Sequence, residues 1–183
     1  GTFALIFVGV GAIANGGAAD ADLLTVALAH GLTIAVMVSA TAAVSGGHLN
    51  PAVSFGMMII KRMDIKTGVS YIVAQCLGAI AGALLLFSTM PVEFLQRINL
   101  GTPALGQDVT YAFGFVMEMI LTFFLVFVIF GSAVDKRAAK VGGLYIGLAV
   151  TLGILIGGPL TGAAMNPARY FGPAYISGNL SLC

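Results

Sequence analysis

The chain has 183 residues, of which 59% are hydrophobic and 8% charged, with a formal net charge of +1 and a mean hydropathy of +1.05. A soluble domain carries about a quarter charged residues, so a water-covered globular surface is excluded. The net charge of +1 says nothing about nucleic acid, no basic patch with interleaved aromatics appears, and no nucleic-acid partner is expected.

Apolar runs of this length suit helices that cross a bilayer, not barrel strands, and the expected class is an all-α membrane protein. Taken in order, the first run is short, Gly1–Ile13, with no basic lead that would mark a cleavable signal. A polar link, "NGGAADAD", leads to a second run at Leu23–Val44. Then "SGGHLNPAVSF" at 45–55 interrupts the apolar text, followed by the basic link "KRMDIK" at 61–66. The third run, Gly68–Met90, contains Cys76, whose expected role is packing; with Cys183 it offers no metal or redox spacing. A mixed loop fills 91–108, the fourth run is Val109–Val134, and a second basic link, "DKRAAK", occupies 135–140. The fifth run is Val141–Gly157, after which "TGAAMNPARYF" at 161–171 echoes the earlier interruption.

Five spans are therefore expected, the first one clipped, since a full crossing takes about 20 apolar residues. Lys61, Arg62, Lys66, Lys136, Arg137 and Lys140 all fall in the two basic links, which the positive-inside bias places in the cytoplasm. Asp20, Asp22 and the 91–108 loop then face outward, and the cell membrane is the expected location.

Two segments are too short to span. Asn50–Ile60 and Asn166–Ile176 would each be about 16 Å long as helix, half of a hydrocarbon core. Each begins Asn-Pro-Ala: Asn50, Pro51 and Ala52, then Asn166, Pro167 and Ala168. Asparagine favours the N-cap, and proline suits the first helical position, where an N–H has no partner anyway. The glycine-bearing backbone before each start is tolerated at membrane depth only if it is buried in protein or lines a cavity.

The two segments are copies. Asn50 and Asn166 lie 116 positions apart, with Ser45 matching Thr161, Gly46 matching Gly162 and Phe55 matching Phe171. Three spans separate them, so they enter from opposite faces, as inverted repeats do. The expected repeats are 1–90 and 109–183, joined by the 91–108 loop. Both half-helix N-termini then point at the midplane, each with roughly half a positive elementary charge. Such a waist favours neutral hydrogen-bonding molecules and repels cations.

"SGGHLNPAVSFG" and "GAAMNPARYFGPA" resemble the two signature loops of the major intrinsic proteins, the aquaporin family, and "YIVAQCLGAIAGALLL" and "FVMEMILTFFLVFVIFG" are similar to its third and fourth helices. The resemblance implies a right-handed bundle of inverted repeats, a passive channel through each monomer, a homotetramer and no cofactor. The family has six spans, so the chain is expected to be part of a longer protein that lacks the sixth span here.

The family's narrow point corresponds to His30, Ile154, Ala163 and Arg169. Arginine is expensive within a membrane and by default marks an ion or substrate pathway. His48 is expected either to tether the first loop or to line the inner mouth. Glu118 is expected to be buried, accepting N–H bonds from a loop. Gly78, Gly82 and Gly147 are read as close-packing positions.

The set His30, Ile154, Ala163 and Arg169 resembles the constriction of plant tonoplast intrinsic proteins. Tyr170, Ala174 and the absence of tryptophan fit the water-selective branch better than the glycerol facilitators. The expected function is passage of water, and of ammonia or other small neutral solutes, with exclusion of protons and ions. A glycerol or urea facilitator is the alternative on the same scaffold. A secondary transporter would show coupling-ion ligands at the midplane, and Glu118 is the one acid there. A structural junction protein would fold alike and conduct little. No nucleophile–base pair or metal cluster suggests an enzyme.

Overall fold

The computed structural model describes residues 1–15 and 22–178, so Asp20 and Cys183 lie outside the described residues. The helices are α1 (Thr2–Asn15), α2 (Leu23–Ser45), α3 (Pro51–Ile59), α4 (Ile65–Thr89), α5 (Val92–Arg97), α6 (Tyr111–Ile129), α7 (Gly142–Thr161) and α8 (Pro167–Ser177). A π-helical turn, Phe130–Val134, prolongs α6, and α2, α4, α7 and the prolonged α6 are each long and apolar enough to cross a membrane. α1 is shorter, at 14 residues.

Two differences from the sequence reading stand out beyond shifts of one to three residues at helix ends. The 91–108 segment is not structureless: it holds α5 and a 3-10 turn, Asn99–Gly101. α7 runs past Gly157 and through Pro159 to Thr161. Pro159 lies in the last turn of α7, and the helix ends at Gly162, whose φ of 79° suits glycine.

Local chemistry starts the helices cleanly. Asp22 caps α2 by accepting from Leu24 and Thr25, and Asp64 caps α4 by accepting from Thr67. The Thr67 hydrogen bonds hold the Asp64 carboxyl below its ordinary value. Asn50 and Asn166 cap α3 and α8, each followed by proline at the first helical position.

The bundle packs small residues inward and large apolar ones outward. α2 and α7 make the most extensive helix pair. Along their seam Ala27, Gly31 and Ala35 meet Gly143, Gly147 and Thr151. A Cβ on Gly31 would strike the Thr151 hydroxyl and the Gly147 carbonyl, while one on Gly147 would strike the Gly31 carbonyl and Ala35. These contacts are reciprocal at the same 116-residue offset that relates the two Asn-Pro-Ala segments. Elsewhere Gly82 of α4 faces the Phe3 carbonyl of α1, and Gly172 of α8 faces Ala79 of α4.

The opposite faces carry large side chains every fourth position. Leu24, Leu28, Leu32 and Val36 on α2, Leu144, Leu148, Leu152 and Ile156 on α7, and Phe115, Met119, Phe123 and Phe127 on α6 are all exposed. Water would oppose such surfaces, whereas lipid tails are as apolar as these side chains, and helix association then rests on close van der Waals packing of small residues.

That division predicts contrasting substitutions. Gly147→Leu, which must displace the Gly31 backbone, is expected to destabilise the protein by about 1–3 kcal/mol or more. Leu152→Ala, on the outer face, is expected to stay within about 0.5 kcal/mol. Thermal unfolding in detergent micelles measures both.

Candidate channel site

The site begins where α2 and α7 stop. Both end in left-handed glycine caps, Gly46 (φ 76°) and Gly162 (φ 79°), that turn the chain back into the bundle. Each loop then runs as irregular backbone into Asn50 or Asn166.

The two asparagines share two interactions. Each Oδ1 accepts from the N–H two residues on, Ala52 at 2.9 Å and Ala168 at 3.1 Å, and Asn166 also accepts from the Arg169 N–H. Each Nδ2 donates across to the opposite loop: Asn50 to the Met165 carbonyl at 2.7 Å, Asn166 to the Leu49 carbonyl at 2.9 Å. An amide nitrogen carries two hydrogens, so each retains one beyond this exchange. The N-termini of α3 and α8 therefore meet head to head.

The loops are anchored differently. Glu118 of α6 accepts from the Ala164 N–H (2.9 Å), the Met165 N–H (2.8 Å) and the Thr161 hydroxyl (2.6 Å). Thr161 in turn accepts from the Ala163 N–H. These bonds hold Ala163 (φ 44°) and Met165 (φ 47°) in the left-handed region, which costs a residue with a Cβ about 1–2 kcal/mol. Contrary to the sequence reading, Glu118 is only half-buried. The first loop is held by Gln75 of α4, whose Nε2 donates to the His48 carbonyl (2.8 Å) and the Ser54 hydroxyl (3.0 Å), and by the Thr2 hydroxyl on the Leu49 carbonyl.

A cavity of about 700 Å³ passes these loops, lined at one end by Asp135, Ala138 and Lys140. Farther along it is lined by His48, Asn50 and Asn166, and by His30, Ile154, Ala163 and Arg169. The structure thus brings together on one cavity the two asparagines, His48 and all four residues of the sequence-predicted narrow point. Glu118 sits behind the second loop, and Pro51, Ala52, Pro167 and Ala168 form the helix starts.

Arg169 is 5% exposed, which rules out an arginine reaching for an outer interface, and its Nη1 donates to the Gly101 carbonyl at 2.6 Å. His30 is 2% exposed. Its Nδ1 lies 2.9 Å from the Val26 carbonyl, which can only accept, so Nδ1 carries the proton and Nε2 is a bare acceptor without a partner. The His48 ring lies beside Tyr71, with its Nδ1 buried and unpaired.

Gln75, Thr161 and Gly101 were missed from sequence. Gln75 is the lone amide in an apolar span and could have been flagged on that ground. Thr161 stands opposite Ser45 in the repeat. Gly101 had no signal, because it contributes a carbonyl.

The family model of the major intrinsic proteins matches residues 1–182. The chain belongs to the major intrinsic protein family. Its members are channels, not enzymes. The chain is 42% identical to sheep Aquaporin-5 over 182 residues, covering 98% of this chain and 68% of that protein. It is 44% identical to maize Aquaporin TIP4-4, covering 97% and 72%, and 41% identical to mouse Aquaporin-4, covering 97% and 56%. The X-ray structure of the aquaglyceroporin from Plasmodium falciparum superposes with a TM-score of 0.86 at 29% identity, covering 96% of this chain and 76% of that one. The fold is that of an aquaporin, in an integral multi-pass membrane protein of the aquaporin family.

The anchoring of the second loop yields a prediction. Glu118→Leu strands two backbone N–H groups, at about 1–3 kcal/mol each, and is expected to lower the melting temperature markedly. Glu118→Gln keeps an acceptor oxygen and should fall between it and the parent. Differential scanning fluorimetry in detergent gives the order.

Proposed function

We propose that the channel conducts water in single file, with ammonia as a second permeant, and excludes protons and ions. The observation that carries this reading is the reciprocal amide exchange of Asn50 and Asn166 on the cavity. It leaves two N–H donors and two positive helix ends at one level, favouring an uncharged acceptor such as water and disfavouring cations. Arg169 adds a fixed positive charge farther along the same cavity.

His30, Ile154, Ala163 and Arg169 form the constriction under this reading. Arg169 offers donors at this level, so a small acceptor such as water exchanges part of its hydration for them, while the His30 ring forms part of the wall. The weakly basic imidazole supports ammonia passage. His48 lines the inner mouth, because the loop is tied through its backbone carbonyl and its ring is left to the cavity. Residues 1–90 and 109–183 act as inverted repeats, supported by the reciprocal contacts at a constant offset. A homotetramer in the cell membrane is part of the same proposal.

Glycerol facilitation is the second reading, supported by the structural likeness to an aquaglyceroporin and by the small Ala163 beside aliphatic Ile154. Liposomes under osmotic shock separate the two. The expected result is light-scattering relaxation several-fold faster with protein than without, and little glycerol entry; equal relaxation rates would remove the water reading, and glycerol entry matching water would favour the second.

Two variants test the constriction. Arg169→Val is expected to raise proton or cation leak measured with a pH-sensitive dye, because the fixed charge is lost while the helix ends remain. His30→Phe is expected to reduce ammonia-driven internal alkalinisation while water passage continues.

A further inference from the structure

We propose that Gly9, on α1, is a specificity-determining position of the channel: its missing side chain seats the His30 ring against α1 and thereby sets the width of the lumen. This rests on the channel reading above and deepens it by naming a residue outside the constriction that controls the constriction.

Gly9 is buried and faces the far edge of the imidazole. A Cβ built on it would lie 2.6 Å from His30 Cδ2, 2.6 Å from Nε2 and 2.8 Å from Cε1. Three ring atoms at such distances leave no room for alanine without moving the ring. In the parent, Nδ1–H is tied to the Val26 carbonyl one turn earlier on α2, which holds the ring in this seat. His30 also lines the cavity, together with Ile154, Ala163 and Arg169. Any side chain at position 9 therefore drives the imidazole toward the lumen and narrows it. The same seat fixes the proton on Nδ1 and leaves Nε2 as the bare acceptor.

The consequence is a size effect, not a general loss. Gly9→Ala is expected to reduce passage of a solute wider than water far more than passage of water itself, as a steric change of about one carbon shifts discrimination by about tenfold. Stopped-flow light scattering on proteoliposomes, with urea and water measured on the same preparation, gives the ratio. The double variant Gly9→Ala/His30→Ala separates seating from packing. With the imidazole removed, adding the Gly9 methyl is expected to leave the urea-to-water ratio unchanged relative to His30→Ala alone. If Gly9→Ala lowers the ratio equally in both backgrounds, or lowers urea and water together, the proposal is overturned.

A second readout needs no conduction. The ¹⁵N shifts of the His30 ring are expected to report the Nδ1-protonated tautomer in the parent and a mixed or reversed tautomer in Gly9→Ala, as the Val26 bond is lost. Unchanged shifts overturn the seating. If the parent passes neither water nor urea while the shifts change as expected, the channel reading fails and the seat stands.

Discussion

Two amide nitrogens, each donating to the backbone carbonyl that precedes the other, hold the centre of this molecule together. Half-helices ending at mid-membrane present N–H groups that lipid cannot satisfy, and their positive ends repel one another. The exchange between Asn50 and Asn166 answers both problems at once. Oδ1 of each satisfies its own helix start, and Nδ2 of each closes the gap to the opposite loop. Because the two Nδ2 bonds are reciprocal, neither loop can shift without breaking bonds to the other.

That closure demands close approach elsewhere. The loops start where α2 and α7 end, so the separation of those two helices sets the separation of the loops. Glycine and alanine along the seam let the backbones nearly touch at Gly31 and Gly147. The large side chains displaced from the seam cover the outside, where a soluble protein would carry charge. Composition, helix packing and loop geometry are thus three aspects of one requirement: two irregular segments must meet inside a bilayer with their polar groups satisfied.

Much of this was legible from the chain itself. Hydropathy marked the spans, proline and asparagine marked the half-helix starts, and the duplicated "NPA" text, with three spans between the copies, implied opposite entry. The resemblance to the family pointed to His30, Ile154, Ala163 and Arg169, which line one cavity. What escaped were contacts through groups that every residue carries. Gly101 serves Arg169 with a carbonyl, and its position follows from a left-handed run at Asn99, Leu100 and Gly101 that no hydropathy pattern encodes. Gly9 acts by what it lacks, and glycine is too frequent in this chain for one instance to stand out. The fifth run was ended at Gly157, whereas the chain keeps helical form to Thr161 before Gly162 turns it.

The anchoring of the second loop is tied to a buried charge. The second loop carries Arg169, buried and beside the cavity, while the matching position of the first loop is Val53. An isolated guanidinium at a membrane helix centre costs about 2.5–3.5 kcal/mol, and the half that bears it also bears Glu118. The carboxylate does not pair directly with the arginine; among the described residues the ion pair is Arg137–Asp135, outside the bundle. Glu118 instead binds the backbone N–H groups of Ala164 and Met165, a few residues before Arg169. It supplies a compensating field from behind the loop while the guanidinium stays bound to a neutral carbonyl with donors left for the cavity. A direct salt bridge would have cancelled the positive charge that, under the proposed function, bars cations. In the first loop, Gln75 of α4 donates to the His48 carbonyl and the Ser54 hydroxyl, again holding the loop through groups behind it.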